Sequence, residues 1–152
     1  MKQVIKDLII ILFILLLIGF SCVGQTTEGK QLIPYINEWM GVKYRLGGST
    51  KRNIDCSQFT KRIYKDVYNL NIGNNCRTQW AQSKRVHKDS LEVGDIVFFR
   101  SSGPSGWHCG FYLGYGNFVH ASSIAGMVTI NNLEDKRYKK SYKGAGRFFT
   151  TI

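Results

Sequence analysis

Hydrophobic periodicity changes once along this chain, and that change restricts its possible folds more than any other feature. Before Leu91 the apolar residues recur at helical spacing. Leu32, Tyr35, Ile36 and Trp39-Met40 trace one helical face, and Phe59, Ile63, Tyr64 and Val67 trace another. After Leu91 the apolar residues come in short runs: Ile96–Phe99, Cys109–Leu113, Phe118–Ala121, Met127–Ile130 and Gly146–Phe149. Gly, Asn, Ser and Pro cluster between most of these runs. Helices first and consecutive strands afterwards predict an α+β domain with an antiparallel sheet. The segment from Phe111 through Gly114-Tyr115-Gly116 to His120 predicts a hairpin.

The N-terminus stands outside that pattern. Met1–Asp7 carries two lysines and one aspartate, and Leu8–Phe20 is an unbroken apolar run. Such a run is shorter than the about 20 residues a membrane-spanning helix needs, and with a basic segment ahead of it reads as a signal peptide. It ends in Gly19-Phe20-Ser21-Cys22, small residues just ahead of a cysteine. This looks like a lipobox, where bacteria cleave before the cysteine and acylate it. Residues 1–21 are therefore expected to be a lipoprotein signal peptide, 22–30 the lipidated Cys22 and a flexible tether, and 31–152 the folded domain. A plain secretory signal or a short uncleaved anchor remains open, and all three export the domain.

Setting aside residues 1–21 removes two lysines and one aspartate, so the net charge of +11 becomes +10. An exported basic protein seldom meets nucleic acid, so no nucleic-acid partner is expected. Anionic lipid headgroups and wall polymers bearing carboxylate or phosphate fit the charge better. A scattered, solvated lysine surface fits it equally well.

Four cysteines do not make a disulfide framework here. With Cys22 assigned to the lipid, Cys56, Cys76 and Cys109 remain, an odd number without C-x-x-C spacing. At least one free thiol in an oxidising compartment requires a reason. Asp55-Cys56-Ser57 precedes the second helical pattern, so Asp55 is a natural cap and Cys56 sits in the first turn. A cysteine there faces unsatisfied N–H groups and the positive end of the helix dipole, which favours the nucleophilic thiolate. A small buried core residue is the alternative.

A base must come from three histidines. His87 lies in a polar stretch and is expected at the surface. His108 and His120 flank the predicted hairpin, which can bring both to one sheet edge. That permits Cys56 to attack, His108 to take its proton and His120 to orient the imidazole. Two satisfied sheet histidines are the other reading of the same spacing. No HExxH, G-x-S-x-G or phosphate-cradling loop is present, and neither a metal nor a cofactor is expected.

Five motifs then carry a resemblance: Tyr44-Arg-Leu-Gly47-Gly48, Asp55-Cys56-Ser57-Gln58-Phe59, Leu91-Glu-Val-Gly94-Asp95-Ile-Val-Phe98, His108-Cys-Gly110-Phe-Tyr112-Leu-Gly114 and Phe118-Val-His120-Ala-Ser122. In order and spacing the chain resembles the NlpC family of bacterial cell-wall peptidases over about residues 31–150, and its lipoprotein members in particular. The resemblance implies a papain-like α+β fold, with N-terminal helices packed on a five- to six-stranded antiparallel sheet. It implies Cys56 as nucleophile, His108 as general base and then acid, and His120 as the orienting third residue. Tyr44 would lie at the active site, Asp55 and Ser57 would help hold the free amino end of the peptide, and Arg77 and Gln82 would lie along the groove.

Three positions depart from the family pattern. Gln58 stands where a small residue is usual, Cys76 where Pro is common, and Cys109 where Val is typical. Strand alternation sends Cys109 to the face opposite His108, into the core. The resulting expectation is a monomeric, lipid-anchored endopeptidase of the cell envelope, cleaving peptidoglycan stem peptides. A catalytically idle wall-binding lipoprotein, or an amidase or acyltransferase with another amide substrate, is the rival.

Overall fold

The computed structural model describes residues 31–148. The expected signal peptide, Cys22 and the tether lie outside these residues. No helix among them is long and apolar enough to cross a membrane. The chain opens with helix α1 (Leu32–Asn37), then a small hairpin, β1 (Ser49–Thr50) and β2 (Asn53–Ile54). Helices α2 (Cys56–Tyr68) and α3 (Cys76–Gln82) follow. Strands β3 (Lys84–Val86), β4 (Ile96–Arg100), β5 (Trp107–Gly114), β6 (Asn117–Ser122) and β7 (Met127–Asn132) come next, then helix α4 (Lys136–Ser141) and strand β8 (Tyr142–Arg147).

The six longer-range strands form one antiparallel sheet in the order β3-β8-β4-β5-β6-β7. Alternation along its strands divides the core. Ile96, Phe98, Cys109, Phe111, Val119 and Ala121 point to the face covered by α1 to α3. Val97, Phe99, Tyr112 and Phe118 point to the other face, where Leu133 and Tyr138 cover them. Both faces are thus buried, which explains the near-continuous apolar runs in β4 to β6.

Helix α2 forms for the reasons visible in its sequence. Asp55 caps it by accepting from Gln58 N at 2.8 Å, and Phe59, Ile63 and Tyr64 on one face have no exposed surface. Burial of each such side chain contributes on the order of 1.5–3 kcal/mol. The helix ends where Asn69 turns left-handed at φ 52°, a conformation asparagine tolerates. The Tyr64 hydroxyl donates to the Gly94 carbonyl and ties the helix to the turn before β4.

The predicted hairpin is present. β5 passes to β6 through Tyr115 and Gly116, both at positive φ (52° and 79°), as the tight turns that match strand twist require. Gly110 has a different role. A Cβ there would stand 2.5 Å from the Phe118 ring and 3.2 Å from His120 Cβ, so only glycine lets the two strands carry His120 at that position.

Other elements depart from the sequence reading. The first helix stops at Asn37 and continues as turns that bury Trp39. The last strand starts at Tyr142 and ends at Arg147, earlier than Gly146–Phe149. Its Gly144-Ala145-Gly146 centre offers no side-chain alternation to read. Strand β3 and helix α4 were not expected. β3 is a charged edge strand, and α4 (KRYKKS) turns only Tyr138 into the core.

Candidate active site

The site begins at the start of α2. The Asp55 carboxylate accepts from Gln58 N and from Ser57 Oγ (2.9 Å) through Oδ1, and from Gly47 N (3.0 Å) through Oδ2. Three of the roughly four acceptor positions of a carboxylate are so occupied. This anchors the Gly47-Gly48 loop to the helix start and fixes Cys56 as the first helical residue, where backbone amides have no intrahelical acceptor. Cys56 is 8% exposed and forms part of the wall of an open groove of about 560 Å³.

The imidazole relay comes from the hairpin. His108 Nε2 lies 2.6 Å from His120 Nδ1, and His120 Nε2 lies 2.9 Å from Asn131 Oδ1. The Tyr138 hydroxyl donates to the same Asn131 oxygen at 3.2 Å. An amide oxygen only accepts, so His120 carries its proton on Nε2 and Nδ1 is an acceptor. His108 then donates from Nε2, which leaves its Nδ1 as the basic nitrogen for Cys56. Burial first, and the charge of His108 second, push the His120 pKa down to about 4, so this ring stays neutral and orients its neighbour.

Cys56 is held well below the ordinary thiol range. Hydrogen bonds from Cys109 and then Cys76 favour its thiolate over the opposing effect of burial, and His108 adds a hydrogen bond and its charge. Cys76 Sγ stands 3.6 Å from Cys56 Sγ and 3.2 Å from Cys109 Sγ. All three sulfurs lie within 4.8 Å of one another, and all three are free thiols. Cys76 is held above the usual range. Its bond with Cys109 pulls the other way, but its bond to Cys56 and its burial prevail. Burial, followed by donation to Cys56, raises Cys109 as well.

The other expected residues divide. Tyr44 stands beside the nucleophile. Its phenol is pushed up to about 12 by burial first, then by the charges of Cys56, Asp55 and Cys76. Ser57, Arg77 and Gln58 line the groove with Asp55 and Cys56, and Arg77 is exposed there. Gln82 ends α3 on an exposed surface and is not among the groove residues, a correction to its expected place. Gln58 does not point freely to solvent. Its Nε2 donates to the Asn74 carbonyl at 2.8 Å, so it braces the loop before α3. His87 is exposed, as expected.

Sequence reasoning missed Asn131, Tyr138 and Trp107. Asn131 and Tyr138 follow the hairpin on β7 and α4, at no spacing that marks a relay. Trp107 precedes His108 and walls the groove. Cys109 lies in the core on the helix side, as strand alternation demands, yet it reaches the nucleophile through the sulfur cluster.

Together these groups can form a thiolate, deliver it to an electrophile in the groove and move a proton through His108. The comparisons agree in family. The NlpC/P60 family pattern matches residues 41–147. "Murein DD-endopeptidase MepS/Murein LD-carboxypeptidase" of Escherichia coli (strain K12) is 41% identical over 118 residues, which are 78% of this chain and 62% of that protein. This chain thus spans under two thirds of that relative's length. "Probable endopeptidase NlpC" of the same strain is 34% identical over 113 residues, covering 74% of this chain and 73% of that one. The crystal structure of a NlpC/P60 family protein from Bacillus cereus ATCC 10987 superposes with a TM-score of 0.71 at 30% identity, covering 82% of this chain and 41% of the other. The motifs, the sheet order and these likenesses converge, and the chain belongs to the NlpC/P60 family.

Proposed function

We propose that the protein is a cysteine endopeptidase that hydrolyses amide bonds in peptidoglycan stem peptides, held at the membrane by a lipid on Cys22. The observation that carries the chemistry is the hydrogen-bonded line His108–His120–Asn131 behind a thiolate-prone Cys56 at a helix start facing an open groove. The murein endopeptidase relative, 41% identical, supports peptidoglycan as the substrate class.

In this reading the Cys56 thiolate attacks the scissile carbonyl carbon. The main-chain N–H of Cys56, among the orphan amides of the first turn, meets the developing oxyanion. His108 then protonates the leaving amine, and a thioester forms. A water activated by His108 hydrolyses the thioester and restores the thiolate. His120 keeps the imidazole in the tautomer the cycle needs. Asp55 and Ser57 border the place where the substrate's free amino group would sit, with one acceptor position of Asp55 still open. Arg77 offers a cation to a peptide carboxylate. Tyr44 closes the site beside the nucleophile.

The lipid anchor would confine cleavage to wall near the membrane, in support of wall growth or remodelling. More than one acyl chain is needed for stable attachment. The test is digestion of purified peptidoglycan by residues 24–152, wild type beside Cys56→Ala, with products identified by mass spectrometry. New muropeptides from the wild type alone support the proposal. Their absence from both folded, reduced proteins refutes it.

A further inference from the structure

Two of the three clustered thiols, Cys76 and Cys109, have no step in the cycle just described. Cys56 and Cys76 open the first turns of α2 and α3, and Cys109 rises from β5, so three separate elements deliver sulfur to one point. Amide hydrolysis needs one sulfur, and a hydrophobic packing role would be served by any small apolar side chain at the other two positions.

Sulfurs bound to one zinc ion at about 2.3 Å stand roughly 3.8 Å apart in a tetrahedral site. The pairs here are 3.6 and 3.2 Å apart, and the third lies within 4.8 Å, so changes of well under the length of a bond would open the centre for an ion. His108 stays outside this group of sulfurs, with its Nε2 committed to His120 Nδ1 at 2.6 Å. The fourth position of a tetrahedral site would face the groove that Cys56 and Cys76 line, open to water or to another donor from solution. The surroundings are polar where a ligand shell needs it. Gln79 Oε1 and Thr60 Oγ1 lie 3.6 and 3.7 Å from Cys109 Sγ, and both side chains are fully buried. An entry path exists as well, because Cys56 and Cys76 line the groove while Cys109 forms the buried floor behind them.

We propose that Cys56, Cys76 and Cys109 form a three-sulfur binding site for a borderline-soft d10 metal ion of the zinc class. Binding displaces the thiol protons to solvent, and each sulfur donates a lone pair to the ion with no change in oxidation state. The occupied site consumes the nucleophile, so the metal-bound protein is a reversibly blocked form. Three-sulfur binding is independent of the proposed activity. Only the blocking rests on it.

The experiment uses the full chain in detergent, chelator-treated and reduced, with its free thiols counted beforehand. Zinc(II) is titrated against a chromophoric competitor, and cobalt(II) serves as the visible probe. Expected are one ion per chain, a thiolate-to-cobalt charge-transfer band, and the strong visible absorption of a tetrahedral centre. Cys76→Ala and Cys109→Val should each weaken zinc binding at least about 100-fold, more than loss of an outer partner does. The unfolding transition of the zinc-free protein is the folding control, with Cys109→Ala as a second variant at the buried position. No stoichiometric binding by the reduced wild type overturns the proposal. So does wild-type affinity in both folded variants, which would show that neither Cys76 nor Cys109 is a ligand. In peptidoglycan digestion, zinc should stop cleavage and a chelator should restore it. Undiminished cleavage by the zinc-saturated protein overturns the blocked state. Metal binding with no cleavage by the zinc-free protein would count against the peptidase reading and leave the site standing.

Discussion

Helices α2 and α3 start alike and treat their first residue in opposite ways. Each opens on a cysteine behind a capping side chain: Asp55 accepts from Gln58 N at 2.8 Å, and Asn75 accepts from Thr78 N at 3.0 Å. Each cysteine is buried at the positive end of its helix. Yet Cys56 is pushed towards the thiolate and Cys76 away from it. The helix dipole is common to both and so does not decide the difference. Cys56 receives hydrogen bonds from two thiols and stands next to His108. Cys76 gives one up and faces the negative charges of Cys56 and Asp55. A capped helix start makes a cysteine eligible for catalysis, and the groups brought to it from the sheet choose which one serves.

The largest expected effect tests that choice directly. Cys56→Ala should lower amide cleavage at least about 10³-fold, as loss of a nucleophile does in hydrolases. Cys76→Ala should stay within about tenfold of the wild type, because it removes one hydrogen-bond donor to the thiolate. Equal inactivation by both, in folded proteins, would break the distinction. In the same spirit, iodoacetamide at neutral pH should alkylate Cys56 well before Cys76, as peptide mapping by mass spectrometry would reveal.

A second prediction concerns the relay that selects Cys56. His120 has a folded pKa of about 4 against about 6.5 when unfolded. Between these values the unfolded chain binds a proton that the folded protein does not, so stability is full above pH 6.5 and falls as pH drops towards 4. The loss approaches about 3 kcal/mol at about 1.4 kcal/mol per unit. Urea unfolding across this window should show a steeper decline for the wild type than for His120→Asn. Parallel curves would mean that the ring is already charged in the folded state.

The two caps give the smallest effects and sharpen the comparison. Asp55→Ala should cost about 2 kcal/mol, since a buried carboxylate with three donors is lost along with the cap. Asn75→Ala, at an exposed capping box, should cost about 1 kcal/mol. Urea midpoints at constant m-value provide the measurement. A larger loss at Asn75 would place the structural weight on α3 instead.

Much of this architecture was legible because local rules and tertiary packing agree. The Asp55 cap, the period of Phe59, Ile63 and Tyr64, and the turn between Gly114 and Asn117 are all set by a few neighbouring residues. Strand β8 was misplaced and α4 overlooked because each takes its form from what it packs against. β8 has glycines where a pattern would show, and α4 buries little beyond Tyr138. Gln82 went astray for a related reason, since an offset along a short helix does not say which side faces a groove.

By itself, the sequence determined the class of fold, the helix that presents Cys56 and the hairpin that carries His108 and His120. Periodicity, capping and turn chemistry are short-range and are written in consecutive residues. Only the tertiary structure decided that His120 is tied to Asn131 and Tyr138, and that Cys76 and Cys109 converge on the nucleophile. Those contacts join residues 20, 33 and 11 positions apart in the chain. Their geometry depends on how helices settle on a twisted sheet, which no single segment encodes.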